Sequence, residues 1–161
     1  MDHPFYNANK PEDDYQIRID RDGQWYHQDA IMARTRLAKL FSTALYYDDN
    51  RDDYWLITPH EQGRIEVADV PFIVTDFKWD EDTLVLITNF NESIHPDHHN
   101  PIFCRDNTLP YIKNDKGIMA RINRTVREKL INIAIDQNGY NDDDKTLTLK
   151  ANGHDHIIAR T

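Results

Sequence analysis

Glycine is scarce in this chain, and cysteine is nearly absent. The 161 residues include 5 glycines and 1 cysteine. The sequence has no glycine-rich phosphate loop, no Gly-x-Ser-x-Gly and no Cys-x-x-Cys, which disfavours a nucleotide fold built on glycine loops. The lone Cys104 excludes an internal disulfide and a Cys-rich metal site, and it suits a reducing compartment.

Long apolar runs and an excess of positive charge are also missing. No stretch approaches the roughly 18 consecutive apolar residues of a membrane-spanning helix. Residues 1–10 lack the basic-then-apolar order of a secretory leader. The formal net charge of −9 disfavours general nucleic-acid binding, because such binding needs basic residues to replace counterions. We expect a cytoplasmic protein with no membrane partner.

What the chain does contain is a repeated tetrapeptide in a globular composition. Hydrophobic residues make up 39% of the sequence and aromatic residues 11%, which is enough for a packed core. Acidic residues concentrate in short, loop-like runs, whereas basic residues gather around the sequence Ile-Met-Ala-Arg, present at Ile31–Arg34 and at Ile118–Arg121. The repeat raises the hypothesis of an internal duplication.

The flanks of the two copies support the duplication. Each copy follows a strand pattern, at 24–28 and 109–114, and precedes apolar residues with helical period. The first stripe consists of Leu37, Leu40, Phe41, Ala44 and Leu45, and the second of Ile122, Val126, Leu130, Ile133 and Ala134. An acidic loop and two further strand patterns follow each helix. We predict an α+β fold of two similar halves, each with a curved antiparallel sheet and one main helix.

The predicted boundaries follow from this repeat. Residues 1–14 form a flexible lead-in, residues 15–81 the first half, and residues 82–161 the second half, packed on the first. A hairpin of strands 71–79 and 82–90 lies at the boundary, and its turn is acidic and polar.

Several short segments, in a fixed order, resemble a known family. These segments are Asp20–Trp25, Thr58–Pro59, Arg64–Val67, Asp69–Phe72, Thr88–Asn89, Pro96–His98, Pro110–Tyr111 and Asn123–Arg124. Over residues 17–159 the sequence is similar to the bacterial domain-of-unknown-function 1285 family. The resemblance implies an internally duplicated α+β fold whose C-terminal half is similar to pleckstrin-homology-like domains. It also implies a cleft between the halves that holds a nucleotide-like ligand in a signalling role, and no established catalytic activity.

Arginines near the predicted start of the second helix are the first candidate binding residues. Arg121, Asn123 and Arg124 lie there, where free backbone N–H groups and the helix dipole favour anions. The planar guanidinium adds bidentate recognition of phosphate or carboxylate. Arg34 and Arg36 occupy the equivalent place in the first helix. The alternative is that these arginines only balance the charge of the Asp-rich loops.

Further candidates come from the strands. Arg64 and Glu66 alternate on one face of strand 64–67, where they either line a ligand cleft or form a surface ion pair. Thr88 and Asn89 end an apolar strand and either bind ligand or cap the next turn. Tyr111 either stacks on a base or fills the core.

Histidines supply weak metal-ligand candidates. His95, His98 and His99 lie beside Asp97, but in a loop between two prolines that spreads adjacent side chains. A solvated turn is the alternative for this cluster. His154 and His156 form a second candidate pair on one face of a strand. We predict no cofactor and no catalytic residue.

Three functions are compatible with the sequence. We favour a sensory module that binds a small anionic, nucleotide-like ligand between its halves. The alternatives are a metal-assisted hydrolase that uses the histidines of residues 95–99, and a protein–protein adaptor whose acidic loops meet basic partners. The oligomeric state stays open.

Overall fold

The chain divides into two compact units. The computed structural model describes residues 1–32, 35–105 and 109–160, apart from the side chain of Thr35. The N-terminal unit is Met1–Pro71 and the C-terminal unit is Phe72–Thr161. The division falls earlier than the predicted boundary after residue 81, because both paired strands of the predicted hairpin, residues 72–80 and 83–88, belong to the C-terminal unit.

The N-terminal unit contains six strands and one helix among its described residues. Their bounds are β1 Ile17–Ile19, β2 Trp25–His27, β3 Ala30–Ile31, α1 Thr35–Ser42, β4 Leu45–Asp48, β5 Asp53–Ile57 and β6 Gln62–Val67. The strand order in the sheet is β3-β2-β1-β6-β5-β4. Two antiparallel meanders, β1 to β3 and β4 to β6, are joined by the parallel pair β1–β6, in which Arg18 lies opposite Glu66.

The C-terminal unit repeats this scheme and extends it. Its six-stranded sheet has the order β10-β11-β12-β7-β8-β9. The strands are β7 Phe72–Asp80, β8 Thr83–Thr88, β9 Ser93–Ile94, β10 Phe103–Cys104, β11 Pro110–Lys113 and β12 Met119–Ile122. Then follow α2 Arg124–Asp136 and a three-stranded sheet of β13 Tyr140–Asn141, β14 Thr146–Ala151 and β15 His154–Arg160.

The two six-stranded sheets share one topology. In both, two meanders meet through a parallel pair of the first and the last strand, β1–β6 and β7–β12. The predicted antiparallel pairing holds along each meander, and the one parallel pair in each sheet joins strands that are distant in sequence, which makes the sheets mixed. The predicted α+β class is confirmed, with sheet dominating the fold.

The copies of Ile-Met-Ala-Arg occupy different places in this scheme. Ile31 ends the edge strand β3, and Ala33 and Arg34 of the first copy lie outside the described residues. In the second copy, Met119–Arg121 belongs to the central strand β12. The repetition in the structure lies in the sheets, and the tetrapeptide does not mark equivalent positions in them.

The two helices pack differently. In α2 the buried residues are Val126, Leu130 and Ala134, as the predicted stripe requires. In α1, however, Leu37 and Leu40 are 46% and 64% exposed. The predicted stripe of α1 was wrong, because the helix buries Ala38 and Ser42 instead. It also ends at Ser42, so that Leu45 begins β4.

The predicted flexible lead-in is hydrogen-bonded to β6. The Asp13 N–H donates to the Gln62 carbonyl at 2.8 Å, and the Gln62 side chain exchanges bonds with the backbone of Asn7 at 3.0 and 2.8 Å. Gly63 permits this approach, because a Cβ there would lie 2.2 Å from the Asp13 carbonyl oxygen. Neither α1 nor α2, the helices of the described residues, is long and apolar enough to cross a membrane.

Candidate functional site

The sheet of the C-terminal unit brings three of the predicted site residues together. Phe103, Tyr111, Arg121 and Ile73 lie directly opposite one another on β10, β11, β12 and β7. We call these four residues the arginine row. At its β7 end, the Ile73 N–H donates to Asn89 Oδ1 at 3.2 Å, and the Asn89 N–H donates to the Ile73 carbonyl at 2.8 Å. Tyr111, Arg121 and Asn89 therefore occupy one line across the sheet.

Two aromatic rings lie side by side at the other end of the row, and a guanidinium lies over one of them. The rings of Phe103 and Tyr111 are stacked, with centroids 6.2 Å apart. The exposed Arg105 places its guanidinium carbon 5.1 Å from the Tyr111 ring centroid, a cation–π distance. Arg121 is only 7% exposed and Tyr111 only 2%. Arg105 was not among the predicted site residues, because nothing in its local pattern distinguishes it from any other loop arginine.

The start of α2 follows the row directly. Asn123 is the N-cap, and its Oδ1 accepts a hydrogen bond from the Val126 N–H at 2.9 Å. Its backbone N–H donates to the Val74 carbonyl at 3.1 Å, which ties the cap to β7. Arg124, the first helical residue, is exposed, and the first turn of α2 has no acidic residue. Arg121 belongs to β12 and not to the helix.

Thr88 has a local structural contact. Its Oγ1 accepts hydrogen bonds from the N–H groups of Phe90 and Glu92, both at 3.3 Å. The side chain is 4% exposed at the end of β8. Of the two roles weighed for Thr88, the geometry favours the turn cap.

Arg64 and Glu66 lie in the N-terminal unit, on β6. The Arg64 guanidinium is held by Glu12 through two parallel bonds, Nε to Oε1 at 2.7 Å and Nη2 to Oε2 at 2.9 Å. Asp53 lies 3.8 Å from its Nη1. The hydrogen bond from Arg64 lowers the pKa of Glu12. Arg64 thus balances acidic neighbours, but Glu12 and not Glu66 is its partner. Arg36 is exposed on α1.

The histidine loop uses its carboxylate for its own turn. Asp97 Oδ1 accepts from the N–H groups of His99 and Asn100, both at 2.9 Å, and the bond from Asn100 is the main cause of its lowered pKa. The rings of His98 and His99 contact each other, with centroids 3.8 Å apart. In the part of the chain that the structure describes, no group of three His, Cys, Asp or Glu residues is placed to hold a metal, and this includes His95.

His156 is a buried connector between strands. Its Nδ1 accepts from the Ile102 N–H at 3.1 Å, so that Nε2 carries the hydrogen donated to the Ala151 carbonyl, also at 3.1 Å. Burial lowers its pKa, and the neutral ring suits both contacts. Close by, burial raises the pKa of the Cys104 thiol, and Sγ donates to the Ile157 carbonyl at 3.6 Å. Cys104 is therefore a packed thiol, as a small buried residue would be.

Fold and site together define an α+β protein of two sheet-dominated units, with a cationic and aromatic row in the second. The profile of the DUF1285 N-terminal domain, a domain of unknown function, matches residues 7–70. The profile of the DUF1285 C-terminal domain, described as a protein of unknown function, matches residues 71–158. The chain therefore belongs to the DUF1285 family, and the resemblance noted in the sequence is confirmed.

Solved structures of the same family show the same fold. A DUF1285 family protein from Silicibacter pomeroyi DSS-3 is 26% identical, with a TM-score of 0.79 over 99% of this chain and 88% of that one. A DUF1285 family protein from Shewanella baltica OS155 is 25% identical, with a TM-score of 0.60 over 72% of this chain and 90% of that one. No curated protein matches the chain.

Proposed function

We propose that this DUF1285 protein is a sensory module that binds a small anionic, nucleotide-like molecule at the arginine row of its C-terminal unit. The observation that supports the proposal is the placement of Arg121 beside Tyr111, with the guanidinium of Arg105 over the same ring. Guanidinium groups recognise phosphate or carboxylate, and the exposed, planar guanidinium of Arg105 offers a stacking surface to a base.

Charge at the start of α2 supports the same ligand class. Arg124 and Arg127 lie in the first turn, where the helix dipole is already positive and an acidic residue would ordinarily be favoured. Placing cations there is unfavourable by itself, and a bound anion would remove that penalty. In a chain with a formal net charge of −9, a local group of arginines attracts anions against the overall field.

The two alternative functions receive less support. A hydrolase centred on His95, His98 and His99 needs a carboxylate free to bind metal or water, and Asp97 is engaged by two backbone N–H groups. An adaptor that acts through acidic loops needs unpaired carboxylates, but some are already paired within the chain, as Asp142 is with Lys145 at 2.9 Å. We therefore retain the ligand-binding proposal.

Thermal shift tests the proposal directly. The probes are inorganic phosphate, a purine nucleoside and the corresponding nucleoside monophosphate, each added to the whole chain. A ligand present at 100 times its Kd adds about 2.7 kcal/mol to the free energy of unfolding, which raises the Tm by a few degrees. We expect the monophosphate to shift the Tm most, because it offers both an anion and a ring.

Exposed arginines make the cleanest variants. Arg105→Gln and Arg124→Gln remove the charge without emptying a buried position, unlike a change of Arg121. The matched control is Lys116→Gln, which removes one exposed positive charge at the turn of the β11–β12 hairpin. The shift should vanish in the double arginine variant and persist in the control. Equal shifts in both would disprove binding at the row.

A sensory role adds one more requirement, because a sensor binds reversibly and returns its ligand unchanged. After prolonged incubation with the protein, the monophosphate should be recovered intact, as judged by phosphorus NMR. Steady conversion to nucleoside and phosphate would instead indicate an enzyme, and the sensory part of the proposal would then be abandoned while the binding site stands.

A further inference from the structure

A cavity lies in the N-terminal unit. It has a volume of about 290 Å³, and its wall combines positive and negative side chains. The charged residues that line it are Asp14, Arg18, Asp29, Arg64 and Glu66. This cavity is independent of the arginine row, which belongs to the other unit.

The rim of the cavity is fixed by the backbone. The Gln28 N–H donates to the Gln16 carbonyl at 2.9 Å, which joins the β2–β3 turn to the segment before β1. Gln16, Gln28 and Asp29 all have left-handed backbone conformations, with φ of 51°, 52° and 63°. Residues with a Cβ rarely adopt this region, and the two-residue turn would ordinarily contain Asn-Gly. The bond between Gln28 and Gln16 therefore joins the two sides of the rim.

Arg18 lies at the centre of the wall. Its guanidinium carbon is 3.7 Å from the centroid of the Tyr26 ring, so the group is supported by that face. Its Nε reaches Asp29 Oδ1 at 3.5 Å, a long contact to a carboxylate that is 91% exposed. Within the described residues, its two terminal nitrogens make no hydrogen bond, and they are the pair that a carboxylate would engage.

Glu66 is the neighbour of Arg18 in the parallel ladder. Although the two residues are directly opposite, no ion pair joins them, because Arg18 is drawn onto Tyr26. The Glu66 carboxylate makes no hydrogen bond or ion pair with any residue in the described ranges. Arg64, by contrast, is paired with Glu12 and Asp53. It lines the cavity, but its charge is already balanced by these carboxylates. One open cation and one open anion thus face a single cavity.

We propose that this cavity binds a small zwitterion, a molecule with a carboxylate and an ammonium group separated by a few bonds, as in an amino acid. The carboxylate takes the terminal nitrogens of Arg18, and the ammonium takes the Glu66 carboxylate. A simple anion would meet the carboxylates of Asp14, Asp29 and Glu66. A volume of about 290 Å³ is also at the lower end of ligand sites, which favours a ligand the size of an amino acid.

Isothermal titration of the whole chain with three matched probes tests the inference. γ-Aminobutyrate carries both charges, butyrate only the carboxylate and butylamine only the ammonium. We expect saturable binding of the zwitterion and at least tenfold weaker binding of each singly charged probe. Equal binding of butylamine would show that only the carboxylates of the cavity bind the ligand. Equal binding of butyrate would show that only an arginine does. Absence of saturable binding for γ-aminobutyrate, glycine and alanine alike would overturn the proposal.

Variants of the two open charges separate the roles. Arg18→Gln and Glu66→Gln should each weaken the zwitterion at least tenfold. Glu61→Gln, an exposed substitution in the turn before β6, is the matched control and should leave binding unchanged. Far-ultraviolet circular dichroism confirms that each variant is folded. Arg105→Gln, at the arginine row, should not affect this titration, so failure of the zwitterion site and failure of the proposed function remain distinguishable.

Discussion

The two helices share an apolar period in the sequence and differ in what they bury. α2 runs over Arg124–Asp136, is capped by Asn123 and covers its stripe with the strands of its own unit. α1 covers only Thr35–Ser42 and leaves Leu37 and Leu40 in solvent. The period indicates a helix in both cases, but the length of the helix and its neighbours decide which face is covered.

The largest effect should come from truncating the centre of α2. Leu130 is fully buried, and Leu130→Ala should cost about 2–5 kcal/mol, through lost burial and the cavity left behind. The matched change on the other helix, Leu40→Ala, should cost less than about 0.5 kcal/mol, because that side chain is mostly exposed. Urea unfolding followed by circular dichroism measures both. Similar losses would show that α1 is covered in solution.

Acid should weaken the C-terminal unit through His156. Because burial lowers its folded pKa, the unfolded chain binds the extra proton first, near its ordinary pKa of about 6.5. The free energy of unfolding should therefore fall as the pH drops below about 6.5, and level off once the folded pKa is passed. His156→Asn should be less stable at neutral pH and lose part of this dependence. Unfolding at several pH values measures the difference.

A histidine in the N-terminal unit provides the comparison. Burial also lowers the pKa of His3, but its Nδ1 accepts only the local Phe5 N–H at 3.0 Å, and its ring centroid lies 5.0 Å from that of Tyr46. At mildly acidic pH, the protection factors for amide hydrogen exchange should therefore fall first around β15 and around Ile102 just before β10, which His156 joins. Exposed His60, replaced by Asn, serves as the control. Earlier loss of protection around β4 would contradict the assignment to His156.

Removing the α2 cap should have a smaller effect. Asn123→Ala leaves the Val126 N–H without its acceptor and should cost about 1 kcal/mol. Asn123→Asp keeps an acceptor and should cost less, so the pair separates capping from packing. Urea midpoints at neutral pH measure both. Equal losses in the two variants would show that the amide group, rather than the oxygen, is needed.

The smallest effect concerns the exposed face of α1. Leu37→Gln should change the free energy of unfolding by less than about 0.5 kcal/mol, since the side chain is nearly half exposed in the folded chain. The measurement is again the urea midpoint, with Leu130→Ala as the reference for a buried leucine. A loss comparable to that of the reference would sink the assignment of this face to solvent.

Local patterns gave the elements, whereas distant pairings remained hidden. The hairpin predicted at 71–79 and 82–90 is found as Phe72–Asp80 and Thr83–Thr88, because alternation and an acidic turn are local signals. The parallel pairs β1–β6 and β7–β12 leave no such signal, since each joins strands from different meanders. The two helix starts were predicted to be equivalent from local patterns alone, which carry no information on the strand pairing around each helix.

The candidate site shows the same limit. Residue types pointed to Tyr111, Arg121 and Asn89 one by one, but only strand register places them in one line. Arg64 was predicted either to line a ligand cleft or to form a surface ion pair with Glu66, whereas its partner in the structure is Glu12, which is far away in sequence. Arg105 and Arg18 gave no signal at all, because their importance comes from the rings beneath them.

The central parallel pairs also set the order in which each unit can fold. Each three-stranded meander forms from neighbouring segments, but a six-stranded sheet closes only when its first strand meets its last, as β1 meets β6 and β7 meets β12. Such long-range closure slows folding compared with local pairing. On the ribosome, β1 must wait with one edge open until β6 has emerged, and an open edge invites pairing with other chains. Each unit is therefore most vulnerable to aggregation during synthesis, before its central parallel pair has formed.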